Sequence, residues 1–88
     1  MENNKHYTVT IYTKNQIGML VTICSLFTRR NISIDLLNAR PSAKPGASKI
    51  LIECESTESL IEAVVKQLRK RVDIISVSWS CDEDIIEI

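Results

Sequence analysis

Few side chains in this 88-residue chain are of the kinds that perform reactions. Its single histidine, His6, stands at the mouth of an alternating segment, where it reads as a solvated terminal side chain. The three cysteines, Cys24, Cys54 and Cys81, form no CxxC pair. Cys24 and Cys54 fall on the apolar sides of their segments, where a free thiol packs as a small hydrophobe. An odd number of cysteines cannot close completely into intrachain disulfides, which fits a reducing compartment. Two glycines, Gly18 and Gly46, leave no P-loop and no GxGxxG. The run Asp82-Glu83-Asp84 reads as a solvated acidic tail. No convergent catalytic set emerges, and the expectation is a chain without catalytic or metal-binding residues.

One segment does carry a specific physical signal, Lys14-Asn15-Gln16-Ile17-Gly18-Met19-Leu20. It joins an alternating stretch to a helical one, and a helix N-terminus presents unpaired backbone N–H groups and a partial positive charge that receive carboxylates. Gly18 lacks a Cβ and lets a ligand approach the backbone. Asn15 can cap the helix or bond a polar head, while Ile17 and Met19 offer apolar contact. Together they suit a small amphipathic anion such as an amino acid. The same residues also serve a plain turn and cap, and both readings stand on the segment alone.

The elements that must position this turn follow from periodicity. Residues 6–13 alternate, with Tyr7, Val9 and Ile11 opposite Thr8, Thr10 and Tyr12, as in a half-buried strand. Leu20, Ile23, Cys24 and Phe27 then recur at helical spacing, and the helix ends near Arg30 or Asn31. Alternation resumes with Ile32, Ile34 and Leu36 set against Ser33, Asp35 and Leu37, and runs to Pro41. Pro41 to Ala47 reads as a loop. A third strand over 48–55 turns Ile50, Ile52 and Cys54 one way and Leu51 and Glu53 the other. Ser56 or Thr57 can cap a second helix with the stripe Ile61, Val64, Val65 and Leu68, and its last turn is basic at Arg69, Lys70 and Arg71. A fourth strand over 72–80 points Ile75, Val77 and Trp79 inward.

The order βαββαβ, with one apolar face per element, predicts an α+β fold. It is a ferredoxin-like sandwich of a four-stranded antiparallel sheet with both helices on one face, and its second strand lies at the sheet edge. The expected boundaries are an N-terminal tail over 1–5, one domain over 6–81 and an acidic tail over 82–88. Eleven basic residues balance eleven acidic ones and aromatics make up 5%. That balance lacks the basic excess or stacking rings of a nucleic-acid binder. No apolar stretch approaches the ~20 residues of a membrane span. The expectation is a cytoplasmic protein without nucleic-acid or membrane partners.

Order and turn together resemble the ACT domain, and more narrowly the small regulatory subunit of acetolactate synthase (acetohydroxyacid synthase). The likeness is clearest in Asn15-Gln16-Ile17-Gly18-Met19-Leu20, in Leu26-Phe27-Thr28-Arg29-Arg30, in Ile34 and the strand ending at Pro41, and in KQLRKRVDII over 66–75. The resemblance implies a homodimer paired through edge strands, with an effector, valine above all, at the interface. Carried over by position, Asn15, Gln16, Ile17, Gly18, Met19 and Leu20 form the turn of one chain, and Ser33 and Ile34 the contact of its neighbour. Ser33 stands where such subunits commonly have asparagine. The resemblance also implies a separate catalytic subunit that holds thiamine diphosphate, magnesium and often FAD, with no cofactor in this chain. Tyr12, Leu37 and Leu51 on the outer sheet face and the 66–71 basic cluster are candidate docking surfaces for it.

Energetics favour a shared site. Burying valine's three side-chain carbons contributes about 2.4 kcal/mol at ~0.8 per carbon, and a helix terminus adds ~0.3 to 1 for the carboxylate. Millimolar binding already requires about 4.1 kcal/mol. One open half-site falls short. Two other functions share this order of elements: a free-standing ACT sensor that regulates a different enzyme or a transcription factor, and a small acylphosphatase-like enzyme. The latter needs an anion-cradling loop with a companion arginine, and the turn has Lys14 but no arginine.

Overall fold

In a computed structural model, which describes residues 4–14 and 18–82, the chain forms β1 (Lys5–Lys14), α1 (Gly18–Arg29), β2 (Ile34–Pro41), β3 (Ala47–Ser56), α2 (Glu58–Arg69) and β4 (Ile74–Cys81). The sheet order is β2-β3-β1-β4 and every neighbouring pair is antiparallel. This is the ferredoxin-like arrangement that the sequence predicts. β2 and β4 are the edges. Tyr7, Val9 and Ile11 of β1 lie opposite Cys54, Ile52 and Ile50 of β3. Together with Ile61, Val64, Val65 and Leu68 of α2 they form the centre of the core.

α2 is positioned by its cap, since the Leu60 N–H donates to Thr57 Oγ1 at 3.4 Å. Of the two expected caps, Thr57 serves; Ser56 is buried in the sheet. α1 departs from the expected stripe. Its buried side chains are Met19, Ile23, Leu26 and Phe27, whereas Leu20 is 36% exposed and Cys24 is half-buried. The segment is apolar around most of its circumference, so several stripes satisfy helical spacing and packing against the sheet chooses one. The flank that remains, Leu20, Val21 and Cys24, lines an open cavity of about 490 Å³.

Two bulges also overturn sequence-based expectations. On β2, Ile34 pairs with Cys54 but Leu36 pairs with Glu53, so Asp35 is an extra residue. Beyond a bulge every side chain changes face. Leu37, opposite Ile52, therefore lies on the helix side, and Leu36 takes the outer-face place expected of Leu37. On β4 the register shifts between Tyr12 and Thr13 of β1, which pair with Ser76 and Ile74. Ile74 packs on the core, and Ile75, expected inward, is the skipped residue at 52% exposure. Val72, expected within the strand, is exposed in the turn that precedes it.

α1 is stopped two residues past Arg29 by Asn31, whose φ of 58° is left-handed. The Ile32 N–H donates to Phe27 O at 3.0 Å and the Asn31 N–H to Thr28 O at 2.9 Å, the paired bonds of a Schellman stop. Asparagine tolerates this backbone and a β-branched residue does not. Asn31→Val should therefore cost about 1–2 kcal/mol, read as a drop of at least about 4 °C in Tm, while Asn31→Gly should match or exceed the parent.

Candidate effector site at the start of the first helix

Asn15, Gln16 and Ile17 lie outside the described residues. Gly18 opens α1 and is exposed, and among the described residues outside its own helix backbone no heavy atom lies within 4 Å of where a Cβ would stand. Its φ is not left-handed, so space rather than strain distinguishes the position. The first turn of α1 carries no acidic side chain, so the positive end of this helix is left without a carboxylate from its own first turn. Met19 points into the core at 3% exposure and anchors the first turn of α1. Leu20 lies on the open apolar flank.

Ser33 is exposed just before β2, and Ile34 begins that strand half-buried against the core. These two do not meet Gly18 within one chain. They follow the far end of a 12-residue helix, about 18 Å long at 1.5 Å per residue. β1 and β2 both run antiparallel to β3, hence parallel to each other, with α1 returning between them. The start of α1 accordingly lies at the finishing end of β2, and Ser33 at the starting end.

Sequence reasoning missed a cluster at the opposite end of the molecule. His6 is not a freely solvated terminus; its side chain is 33% exposed and sits between two carboxylates. Its Nδ1 lies 3.2 Å from Asp82 Oδ2 and its Nε2 3.6 Å from Glu53 Oε1. The Thr8 hydroxyl donates to Asp82 Oδ2 at 2.6 Å, and the Asp82 N–H donates to His6 O at 2.7 Å. Asp82, the residue after β4, is thus tied back to β1, and residues 83–88 lie outside the described residues. No local pattern could join positions 76 residues apart. Among the described residues, no group of three or more His, Cys, Asp or Glu is placed to hold a metal ion, and no helix is long and apolar enough to cross a membrane.

The Thr8 hydrogen bond, with help from His6 and against partial desolvation, holds the Asp82 carboxyl below its ordinary value. The unfolded chain then takes up this proton first as pH falls, so Asp82 stabilises the fold above the ordinary carboxylate range and loses that contribution below about pH 4. Asp82→Asn should flatten this acid limb of a denaturation profile; an unaltered limb contradicts the assignment. Burial, reinforced by Asp35, pushes the Cys54 thiol up to about 11. Brief alkylation of the folded protein near pH 8 should modify exposed Cys81 and spare Cys54, which peptide mass spectrometry reads directly.

Residues 9–76 match the AHAS small subunit-like ACT domain family. The acetolactate synthase small subunit of Buchnera aphidicola subsp. Baizongia pistaciae is 31% identical, over 91% of this chain and 50% of that protein. The acetolactate synthase isozyme 3 small subunit of Escherichia coli K12 is also 31% identical, over 80% of this chain and 43% of its own length. In three dimensions the chain is similar to the acetolactate synthase small subunit from Thermotoga maritima, with a TM-score of 0.75 and 27% identity over 84% of this chain and 46% of that one. The ACT domain of the GTP pyrophosphokinase of Chlorobium tepidum, at 15% identity and a TM-score of 0.73, shares the fold. The chain spans about half the length of the curated relatives it matches. Its fold and the span of that match agree: the chain belongs to the AHAS small subunit-like ACT domain family.

Proposed function

We propose that this chain is a non-catalytic regulatory module of acetolactate synthase, which binds a separate catalytic subunit, raises its activity and carries feedback from a branched-chain amino acid, valine first. The observation that carries the reading is the separation of Gly18 from Ser33 and Ile34 by the length of α1. Two chains paired through their β2 edges in antiparallel fashion bring the starting end of one β2 beside the finishing end of the other. Ser33 and Ile34 of one copy then approach the helix start of its neighbour. The ligand's carboxylate meets the α1 N-terminus and its side chain the apolar surface between chains, a burial that one open half-site cannot supply.

The exposed flank of α1 supports the same pairing. α2 packs beside β4 and α1 beside α2, so α1 lies toward the β2 side of the sheet, and its Leu20–Val21–Cys24 flank is left uncovered. Val21 at 70% exposure and Leu37 at 37% are apolar surface that a second copy would cover. Catalysis and its cofactors reside in the partner subunit. Ligand binding at the interface shifts the complex between two states by its differential affinity for them.

Reconstitution tests the proposal. Added to an isolated acetolactate synthase catalytic subunit from the same source, the chain should raise the rate of acetolactate formation, and valine should lower it only in the reconstituted complex. Co-purification with an enzyme of another kind would favour a free-standing sensor instead.

A further inference from the structure

The outer face of the sheet, away from both helices, is divided by charge. At one end Arg40 of β2 lies directly opposite Lys49 of β3, and Lys49 in turn lies opposite Tyr12, with Nζ 6.0 Å from its ring centroid. Like charges directly opposite each other destabilise a ladder. Both cations line two adjoining cavities of about 510 and 240 Å³, and no carboxylate is among their described lining residues. At the other end of the face Glu53 lies opposite Thr8 and Glu55 opposite His6, with Asp82 bonded to Thr8. Between the two ends runs the row Thr10, Leu51 and Asn38.

We propose that this face binds the same face of a second copy across a two-fold axis along the Thr10–Leu51–Asn38 row. Rotation about an axis in the plane between two stacked sheets keeps each strand over its own copy and reverses its direction. Residues two positions either side of Leu51 then exchange places, so Lys49 of each copy stands over Glu53 of the other, twice, and Leu51 meets Leu51. A surface of this kind is isologous and closes as a dimer. Aligned sheets pack about 10 Å apart, within reach of a lysine and a glutamate extended toward each other. The excess positive charge at Arg40 and Lys49 is matched by the partner's acidic end.

The area sets the strength. Strands of eight residues at ~3.3 Å and four strands at ~4.8 Å give a face of about 500 Å², or roughly 1,000 Å² for both copies. That is the low end for a specific interface, so the association is weak, concentration-dependent and weakened by salt. It uses neither β2 edge hydrogen bonds nor the α1 flank, and therefore adds to any edge pairing instead of competing with it.

Sedimentation velocity on the full chain, from micromolar to millimolar, reads the doubling of mass. K49E and E53K each set like charges against one another and should lower the association constant at least about tenfold, equivalent to 1.4 kcal/mol. The swap K49E/E53K, whose net charge equals that of the parent, should restore it to within about threefold. Leu51→Lys, which sets a cation against its own copy on the axis, should abolish the step, with a thermal melt confirming that the variant folds. Single variants that associate like the parent, a swap no better than the singles, or no mass doubling in the parent at millimolar concentration would each overturn the proposal. Edge pairing is scored separately: if it fails, the face-dependent step runs from monomer to dimer, and if it holds, from dimer to tetramer.

Discussion

Gly18→Asp should abolish amino-acid binding while leaving the fold standing. The position is the first residue of α1, its backbone is helical, and a Cβ there meets nothing within 4 Å among the described residues outside its own helix backbone. Aspartate therefore enters without strain, and an acid in the first turn of a helix contributes about 0.3–1 kcal/mol of stability. The same carboxylate neutralises the helix end and occupies the space in which a ligand carboxylate would sit. Titration calorimetry with valine, leucine and isoleucine should show heat from at least one of them with the parent. With the variant the affinity should fall at least about 100-fold, close to 2.7 kcal/mol, and the melting temperature should stay level or rise. An unchanged heat would place the effector elsewhere. A variant that loses both binding and its melting transition would show that Gly18 serves the fold instead.

Periodicity revealed the fold wherever one face of an element was buried and the register ran unbroken. β1, β3 and α2 carry their apolar residues where alternation and helical spacing put them, because a slip of one residue would turn the whole set to solvent. It failed where one residue was inserted. Asp35 and Ile75 are bulge residues, and nothing in their types announces it, so Leu37 and Ile75 were expected on the wrong faces. It was ambiguous on α1, where apolar residues surround the helix and only the packed structure selects Met19 and Leu26 over Leu20 and Cys24. The candidate position at Gly18 is legible as a turn, and Ser33 enters only through the family resemblance; their separation is a property of the topology. The pairing of His6 with Asp82 depends on β1 and β4 being neighbours, which local sequence does not encode.

Phe27→Ala should cost about 3–5 kcal/mol, the range for truncating a buried aromatic with incomplete collapse of the cavity. The side chain is fully buried, and its own carbonyl receives the Ile32 N–H that stops α1. The loss therefore loosens core and helix end together. At 0.05–0.15 kcal/mol per residue a chain of this size has only about 4–13 kcal/mol in total. The melting temperature should consequently fall by at least about 12 °C, whereas Leu36→Ala, on the outer face at 45% exposure, should stay within about 0.5 kcal/mol. Because a ligand that binds only the native state stabilises it by about 2.7 kcal/mol at a hundredfold over its Kd, saturating valine should recover much of the deficit in Phe27→Ala. The same addition should do nothing for the double variant Gly18→Asp/Phe27→Ala. A rescue that survives the loss of Gly18 would mean that valine stabilises this chain from a site other than the helix start.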